Sequence, residues 1–475
     1  MEVQFYSGWP FRYPRVIVKG LKIEHALGGL ICLWADDDPA QVAAVEIEVL
    51  WRRLDEWAAA AQRGFSTQDE ALDAYIYFEE QSGRQAELPF GDFVRKGTNG
   101  YRGALIASIP ASNVLMIEPA TDEPLETTGA VPLQGAFYLK GRIGAPPRNL
   151  EDIRAALTRK QLRDLESGLK RRAAVGMAER SGGYDFVVFA WPRHEQQHDA
   201  IVVGFEGAGE SLRALAISAT PNDIESRRRR AGPDQNNLMS KRVLIAGVGS
   251  VGGQVASMLA SSGAGTLVLH DSDTLKTGNV VRHVAPEHLV GYRKTDAMWA
   301  TIKNRAPWTA VEREADLPYT PSELASSIEG FDLVVDCTGN LAMSAALAIS
   351  SRRTGVPLIT GALFHQGKIG RVQRQGDDDH DLQSRPEDAA YLTLPPDDPT
   401  VPTSGFLELG CTAPVNNAPP IAVLTLAADI ADAAVDQLTG RRVRSDERIL
   451  VLQPMAAPFD QVGTLDSPRL RQSAR

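Results

Sequence analysis

Six residues of this chain could cradle a phosphate. Gly247-Val248-Gly249-Ser250-Val251-Gly252 follows the apolar run Val243–Ala246 and opens a helical pattern. Glycines at Gly247, Gly249 and Gly252 permit a tight turn and a close approach of backbone to ligand, and the helix start that follows favours an anion. Alone, this GxGxxG spacing reads as a dinucleotide site, which needs one further acid for a ribose. The following residues exceed that need. Asp271 and Asp273 close the next apolar run, and Asn279, Arg282 and Lys294 come after them. An amide, a guanidinium and an ammonium in succession suit a triphosphate, whose charge must be matched as pyrophosphate leaves. Asp336 opens Asp336-Cys337-Thr338-Gly339-Asn340 at the end of a later apolar run, where a carboxylate can hold Mg2+ against phosphates.

Thiols are the second kind of reactive group. There are three, Cys32, Cys337 and Cys411, and no CxxC pair. That number argues against a disulfide framework and for a reducing compartment, and it rules out a four-thiolate zinc site. Cys411 stands in Leu409-Gly410-Cys411-Thr412-Ala413-Pro414, after an acidic stretch. A thiolate in such a polar setting could take an activated acyl group as a thioester. Cys337 lies on the strand that delivers Asp336 and reads as core packing.

The elements that must position these groups alternate regularly from Arg242 onward. Val243–Ala246, Leu267–Leu269, Leu333–Val335 and Leu358–Ile359 are short apolar runs separated by helical segments, the pattern of a doubly wound parallel sheet covered on both faces. Residues 376–405 are acidic and proline-rich and read as a mobile crossing loop. A helix is expected from Ile421 to about Leu438, a last strand at Ile449–Leu452, and a poorly ordered tail after Pro458. In residues 66–230, strands are expected around Leu105–Ile109, Val114–Ile117, Phe137–Leu139 and Phe186–Phe189. One helix, Leu150 to about Arg172, lies between them. Residues 1–65 give short strands and then a helical spacing over Val42–Gln62 with Leu50, Leu54 and Trp57 on one side.

Two resemblances join these parts. The order of the glycine loop, DSDTLKTGNVVRH, GYRK and DCTGN resembles the adenylation domains of ThiF, MoeB and the ubiquitin-activating enzymes over about 130 residues. It implies that ATP is the nucleotide, that Asp271 binds the ribose, that Asn279, Arg282 and Lys294 contact phosphates, and that Asp336 binds magnesium. It also implies a homodimer, with at least one arginine of Arg227–Arg230 at a nucleotide site.

Trp9-Pro10-Phe11-Arg12-Tyr13-Pro14-Arg15-Val16, His25 and Gly28-Gly29-Leu30-Ile31-Cys32-Leu33 resemble ubiquitin-conjugating enzymes, with Cys32 as acceptor thiol. Three features depart from that family. The stretch between His25 and Cys32 is short, Ala26 and Leu27 stand where an asparagine is usual, and the leading helix and first strands have no counterpart. A catalytic role for His25 is the less expected reading beside a structural one.

The joint order resembles bacterial fusions in antiphage operons of the CBASS type. The expected organisation is a truncated conjugating-like domain at 1–65, an α+β linker domain at 66–230 and a Rossmann-like adenylation domain at 231–460. The implied partner is a protein with a flexible C-terminus, either ubiquitin-like or a cGAS-like nucleotidyltransferase. Two alternatives stay open, a sulfur-carrier adenylyltransferase that never conjugates and a non-catalytic scaffold. A net charge of −10 argues against nucleic acid as a partner. No run of about 18 apolar residues spans a membrane, and no signal peptide opens the chain, so a cytoplasmic protein is expected.

Overall fold

The computed structural model describes residues 1–467 apart from 6, 8–13, 22, 24, 28, 34–45, 64, 66–72, 96, 112, 121–131, 195–196 and 397–417. It divides into two units, residues 1–227 and 228–475.

The first unit begins with a small antiparallel sheet of β1 (Glu2–Gln4), β2 (Arg15–Ile17), β3 (Ala26–Leu27) and β4 (Leu30–Ile31), in the order β1-β2-β4-β3. Leu50, Leu54 and Trp57 of the helix Ile47–Arg63 form the expected apolar stripe, and they pack with Val16 and Ile31 of the sheet. The rest of the unit is a barrel. Its strands are β5 (Gln81–Leu88), β6 (Arg102–Ala111), β7 (Val114–Pro119), β8 (Leu133–Leu139), β9 (Phe186–His194), β10 (Gln197–Glu206) and β11 (Arg213–Pro221). They close in the order β10-β11-β5-β7-β6-β8-β9. The sequence predicts strands and a helix here but not closure.

Closure explains the pattern. One face of β8 to β10 fills the barrel with Phe137, Phe186, Val188 and Val202, while the other lies under helices with Phe189, Trp191, Ile201 and Val203. Burial on both faces erases the period-two alternation that marks a half-exposed strand. The single helix expected over Leu150–Arg172 is two, Leu150–Ala156 and Arg159–Lys170. Thr158 breaks it by capping the second. Its hydroxyl accepts the Gln161 N–H at 3.3 Å, while Gln161 Oε1 accepts the Thr158 N–H at 3.0 Å, which satisfies two donors reciprocally.

Continuous apolar runs build the second unit. Its strands are β12 (Arg242–Ala246), β13 (Thr266–His270), β14 (Ala310–Glu314), β15 (Leu333–Asp336), β16 (Leu358–Phe364), β17 (Ile369–Gln375), β18 (Glu447–Val451) and β19 (Gly463–Asp466). The order is β14-β13-β12-β15-β16-β17-β18-β19, with the first five parallel and the last three antiparallel to their neighbours. Helices Ser250–Ser261, Lys294–Arg305 and Pro420–Leu438 cover one face through Val255, Leu259, Met298 and Leu426. Helices Pro321–Ile328 and Leu341–Thr354 cover the other through Leu324 and Leu347. This is the expected doubly wound α/β architecture.

Two expectations about its loops differ. The tail does not fray directly after Pro458, since β19 pairs with β18 as an edge strand. The crossing segment is fastened over its first part. Arg385, fully buried, donates to the carbonyls of Arg374 at 2.5 Å, His380 at 2.9 Å and Asp446 at 3.1 Å, and its charge faces Asp446 and Glu447. The proline and acid content that reads as mobility carries no trace of this one basic anchor.

Candidate nucleotide site and thiols

The strand order turns back on itself between β12 and β15, and in such sheets ligands bind outside the carboxyl ends of the strands at that point. A cleft of about 260 Å³ lies there, lined by Ala246 and Gly247 after β12, His270 to Asp273 after β13, Asp316, Leu317 and Tyr319 after β14 and Thr338, Asn340 and Met343 after β15.

The three glycines have distinct reasons. Gly247 has φ +79°, and a Cβ on it would meet the backbone of Cys337 and Thr338 at 3.0–3.1 Å. A Cβ on Gly252 would stand 1.9 Å from the Gly247 carbonyl oxygen, so the helix Ser250–Ser261 closes onto the loop only with glycine there. Around Gly249, the residue before that helix, a Cβ would find open space. Two glycines therefore shape the loop and the third leaves its outer side bare. That arrangement fits a phosphate at the start of a helix.

A buried strut holds the loop from below. His283 Nδ1 accepts the Ala285 N–H at 3.0 Å, which leaves the proton on Nε2 to donate to the Val248 carbonyl at 2.8 Å. Burial holds this imidazole below its ordinary pKa, against the pull of the Val248 carbonyl.

Asp271 Oδ2 accepts the Val248 N–H at 3.0 Å and Oδ1 accepts the Asp273 N–H at 2.9 Å. Burial holds the Asp271 carboxyl above the usual range, and Lys294 works against that shift. Lys294 Nζ lies 2.6 Å from Asp273 Oδ2 and 3.7 Å from Asp271 Oδ1, so the expected ribose acid, its neighbour and the expected phosphate lysine form one charged cluster. Gly247, Asp271 and Asp273 line the cleft directly.

Asn279 and Arg282 are not among its lining residues. Asn279 Oδ1 accepts the Lys276 N–H at 3.0 Å within its own turn. Arg282 donates to the Ala418 carbonyl at 3.3 Å, just before the helix Pro420–Leu438.

Asp336 ends β15 almost wholly buried. Oδ1 accepts the Thr338 N–H at 3.0 Å and the Thr338 hydroxyl at 2.7 Å, while Oδ2 accepts the Ser344 hydroxyl and the Thr360 hydroxyl, the latter at 3.3 Å. Among the described residues no group of three or more His, Cys, Asp or Glu is gathered for a metal. One carboxylate still fits magnesium, which commonly takes one or two protein carboxylates and completes its shell with phosphate and water. The hydroxyls on Asp336 can turn away to admit it.

Sequence reasoning missed the opposite wall. Asp316 accepts both the Ser272 N–H at 3.0 Å and the Ser272 hydroxyl at 2.6 Å, and Tyr319 Oη accepts Asn340 Nδ2 at 3.2 Å. Position just past β14 is the one signal that could have found Asp316, because the strand-end rule applies there too. The hydroxyls of Ser344 and Thr360 carry no signal of their own.

Cys337 packs beside the core, as expected, and burial pushes its thiol far above the ordinary value. Cys411 lies outside the described residues. Cys32 is exposed at the end of β4, and its N–H donates to the His25 carbonyl at 2.9 Å across the hairpin. His25 itself has φ +55°, donates its N–H to Tyr77 Oη at 2.7 Å and packs its ring 4.4 Å from that of Phe65. In the arginine run, Arg228 donates to the Gln235 carbonyl at 3.1 Å and to Met239 Sδ at 2.6 Å, while Arg229 and Arg230 are exposed.

The glycine loop, the acid pair with Lys294, and Asp336 all fall within residues 225–412, which match the ThiF family. This chain carries a ThiF-family domain. The match ends one residue past Cys411.

Curated relatives match part of the chain. An ATP-dependent ubiquitin transferase-like protein, Cap2 of Vibrio cholerae, is 28% identical over 172 residues, 35% of this chain and 29% of the relative. The Cap2 of Enterobacter hormaechei is 34% identical over 131 residues, 27% and 22% of the two chains. Molybdopterin-synthase adenylyltransferase of Escherichia coli is 35% identical over 137 residues, 28% and 55%. The alignments thus span less than two thirds of each of these relatives. No helix among the described residues is long and apolar enough to cross a membrane.

Proposed function

We propose that this chain uses ATP to activate the C-terminal carboxylate of a partner protein, and that the acyl group then passes from Cys411 to Cys32 and on to an amine. The observation that carries the first step is the convergence of Gly247, Asp271 and Asp273 on one cleft, with Lys294 bound to both acids. ATP, when bound, supplies the AMP leaving group that makes the carboxylate an acyl donor. The bare side of Gly249 and the helix after it would hold phosphate. Asp271 would accept the ribose hydroxyls, Lys294 would turn from the acids to phosphate, with Asn279 and Arg282 as further contacts, and Asp336 would hold magnesium.

The thiol steps are exchanges at one acyl carbon. Cys411 Sγ forms a thioester bond as the bond to AMP breaks, Cys32 Sγ then displaces Cys411, and an amine displaces Cys32 to leave an amide. The likeness to the Cap2 proteins, named as ubiquitin transferase-like, supports the transfer reading, as does the exposed position of Cys32 beside His25. We place the activity in the cytoplasm, in antiphage defence, with a homodimer as the working form. The partner class is a ubiquitin-like protein or a cGAS-like nucleotidyltransferase.

The test is a single-turnover gel with ATP and a labelled partner protein. Two thiol-reducible bands in the wild type are expected. Cys411→Ala should lose both while still forming adenylate, and Cys32→Ala should lose one. A single band in the wild type would favour a sulfur-carrier adenylyltransferase, and none would leave a scaffold. A normal Cys32 thioester in Cys411→Ala would break the relay.

A further inference from the structure

A second cleft, of about 310 Å³, lies within the first unit and is lined by Arg63, Arg142, Arg193, Phe65, Trp191 and Ile23, among others. Its walls come from four separate places: the segment before β3, the end of the helix Ile47–Arg63, the turn after β8 and the end of β9. We propose that this cleft docks a short acidic, partly apolar segment of the protein whose amine attacks the acyl carbon of the Cys32 thioester and releases the thiol. That role rests on the transfer reading given above, whereas the binding itself does not.

Charge points to the occupant. Three of the lining residues are arginines, and no Asp or Glu is among the described lining residues, in a chain whose net charge is −10. Arg63 and Arg142 are exposed, and among the described residues neither takes part in an ion pair or side-chain hydrogen bond. Two guanidiniums at a concave site with no carboxylate among its described lining residues match the fork geometry by which arginine binds carboxylates. The floor is apolar, with Trp191 2% and Phe65 8% exposed, so side chains between the acids can be buried as well. The volume stands at the lower limit of ligand sites, roughly 300 Å³, which limits the contact to two or three side chains.

Position links the cleft to the thiol. The Phe65 ring packs on His25, and the His25 carbonyl accepts the Cys32 N–H, so one side chain and one hydrogen bond separate the cleft from the hairpin that ends in Cys32. An anchored acidic segment would keep its neighbouring residues at that hairpin. The arginines exclude an ammonium group from the cleft itself, so the amine stays outside it.

The probe is a fluorescein-labelled hexapeptide alternating glutamate and leucine, added to the full chain without ATP. Anisotropy should show saturable binding, weakened at least tenfold in the double variant Arg63→Glu, Arg142→Glu and in a peptide with glutamine replacing glutamate. The bound peptide should also slow alkylation of Cys32 by iodoacetamide, read by mass spectrometry, in the wild type and not in the double variant. Equal affinity for the glutamine peptide, an unchanged affinity in the variant, displacement by millimolar inorganic phosphate, or an unaltered Cys32 alkylation rate would each overturn the proposal. ATP–pyrophosphate exchange should be the same in wild type and variant. Its absence from both would count against the adenylation reading alone, because peptide binding is measured without nucleotide.

Discussion

At the scale of single residues, Asp336 has the most to lose. Its two oxygens accept one N–H and three hydroxyls, so truncation to alanine strips four donors of their acceptor at once. Thr338 is exposed and Ser344 and Thr360 are half-buried, so water can replace part of what is lost, and each donor costs less than the about 1–3 kcal/mol of a fully buried one. Asp336→Asn is the better probe of function, since one oxygen and the shape survive. Its ATP–pyrophosphate exchange should fall roughly 100-fold, the usual effect of deleting a group that stabilises developing charge. Wild-type exchange in folded Asp336→Asn protein would remove Asp336 from the nucleotide chemistry. That Gly247, Asp271 and Asp273 meet at one cleft was legible in the sequence, because they follow neighbouring strands of a parallel sheet. Their present partners were not. That Lys294 bridges Asp271 and Asp273, or that Asn279 caps its own turn, depends on rotamers that no spacing encodes.

Among the elements, the glycine loop and its strut make a pH-dependent pair. Burial holds His283 below its ordinary pKa, so the folded state resists protonation more than the unfolded chain does. Above the unfolded value of about 6.5 both states are neutral and the full stability is present. As pH falls below that value the unfolded chain takes up the proton first, and stability is lost towards the folded pKa. A protonated ring also loses the acceptor that binds the Ala285 N–H. His283→Gln, which can both accept and donate, should flatten the decline in melting temperature of the ThiF-type unit between pH 6.5 and 5. Identical slopes in the two proteins would show that another group controls the decline. The strut was hidden from sequence reading, since a histidine among turns resembles any surface histidine. The break at Thr158 was missed, although Thr158-x-x-Gln161 has the spacing of a capping box.

For the whole molecule, division at Arg227/Arg228 into two units argues against a single cooperative transition. Calorimetry should resolve two, with ATP and magnesium raising only the one that belongs to residues 228–475, since a ligand stabilises the unit it binds. A single transition raised as a whole by ATP would mean that the units unfold together. Light scattering at micromolar concentration should give twice the chain mass, as the common preference for two-fold pairs would have it. A monomer fully active in exchange would refute the dimer. The doubly wound half was legible because parallel strands between helices must be apolar throughout, and few other architectures require that. The barrel was not, because closure is a property of how the first and last strands meet and leaves no mark within any one of them.

The barrel has no borders, but the second sheet ends in two open ones, β14 and β19. Each presents backbone that another chain could extend. At β14 both faces carry charge: Glu312 pairs with Arg242, and Arg313 pairs with Asp296 at 2.6 Å. The opposite border is only four residues long. Short, charged margins discourage the stacking of copies edge to edge. Replacing Glu312 and Glu314 by valine would turn Ala310–Glu314 into a β-prone strip with one charge left. The doubly substituted protein should then scatter light on heating well before the wild type does, with exchange activity per soluble molecule unchanged. The charges of β14 are thus expected to matter less for folding than for keeping neighbouring copies from joining their sheets into one.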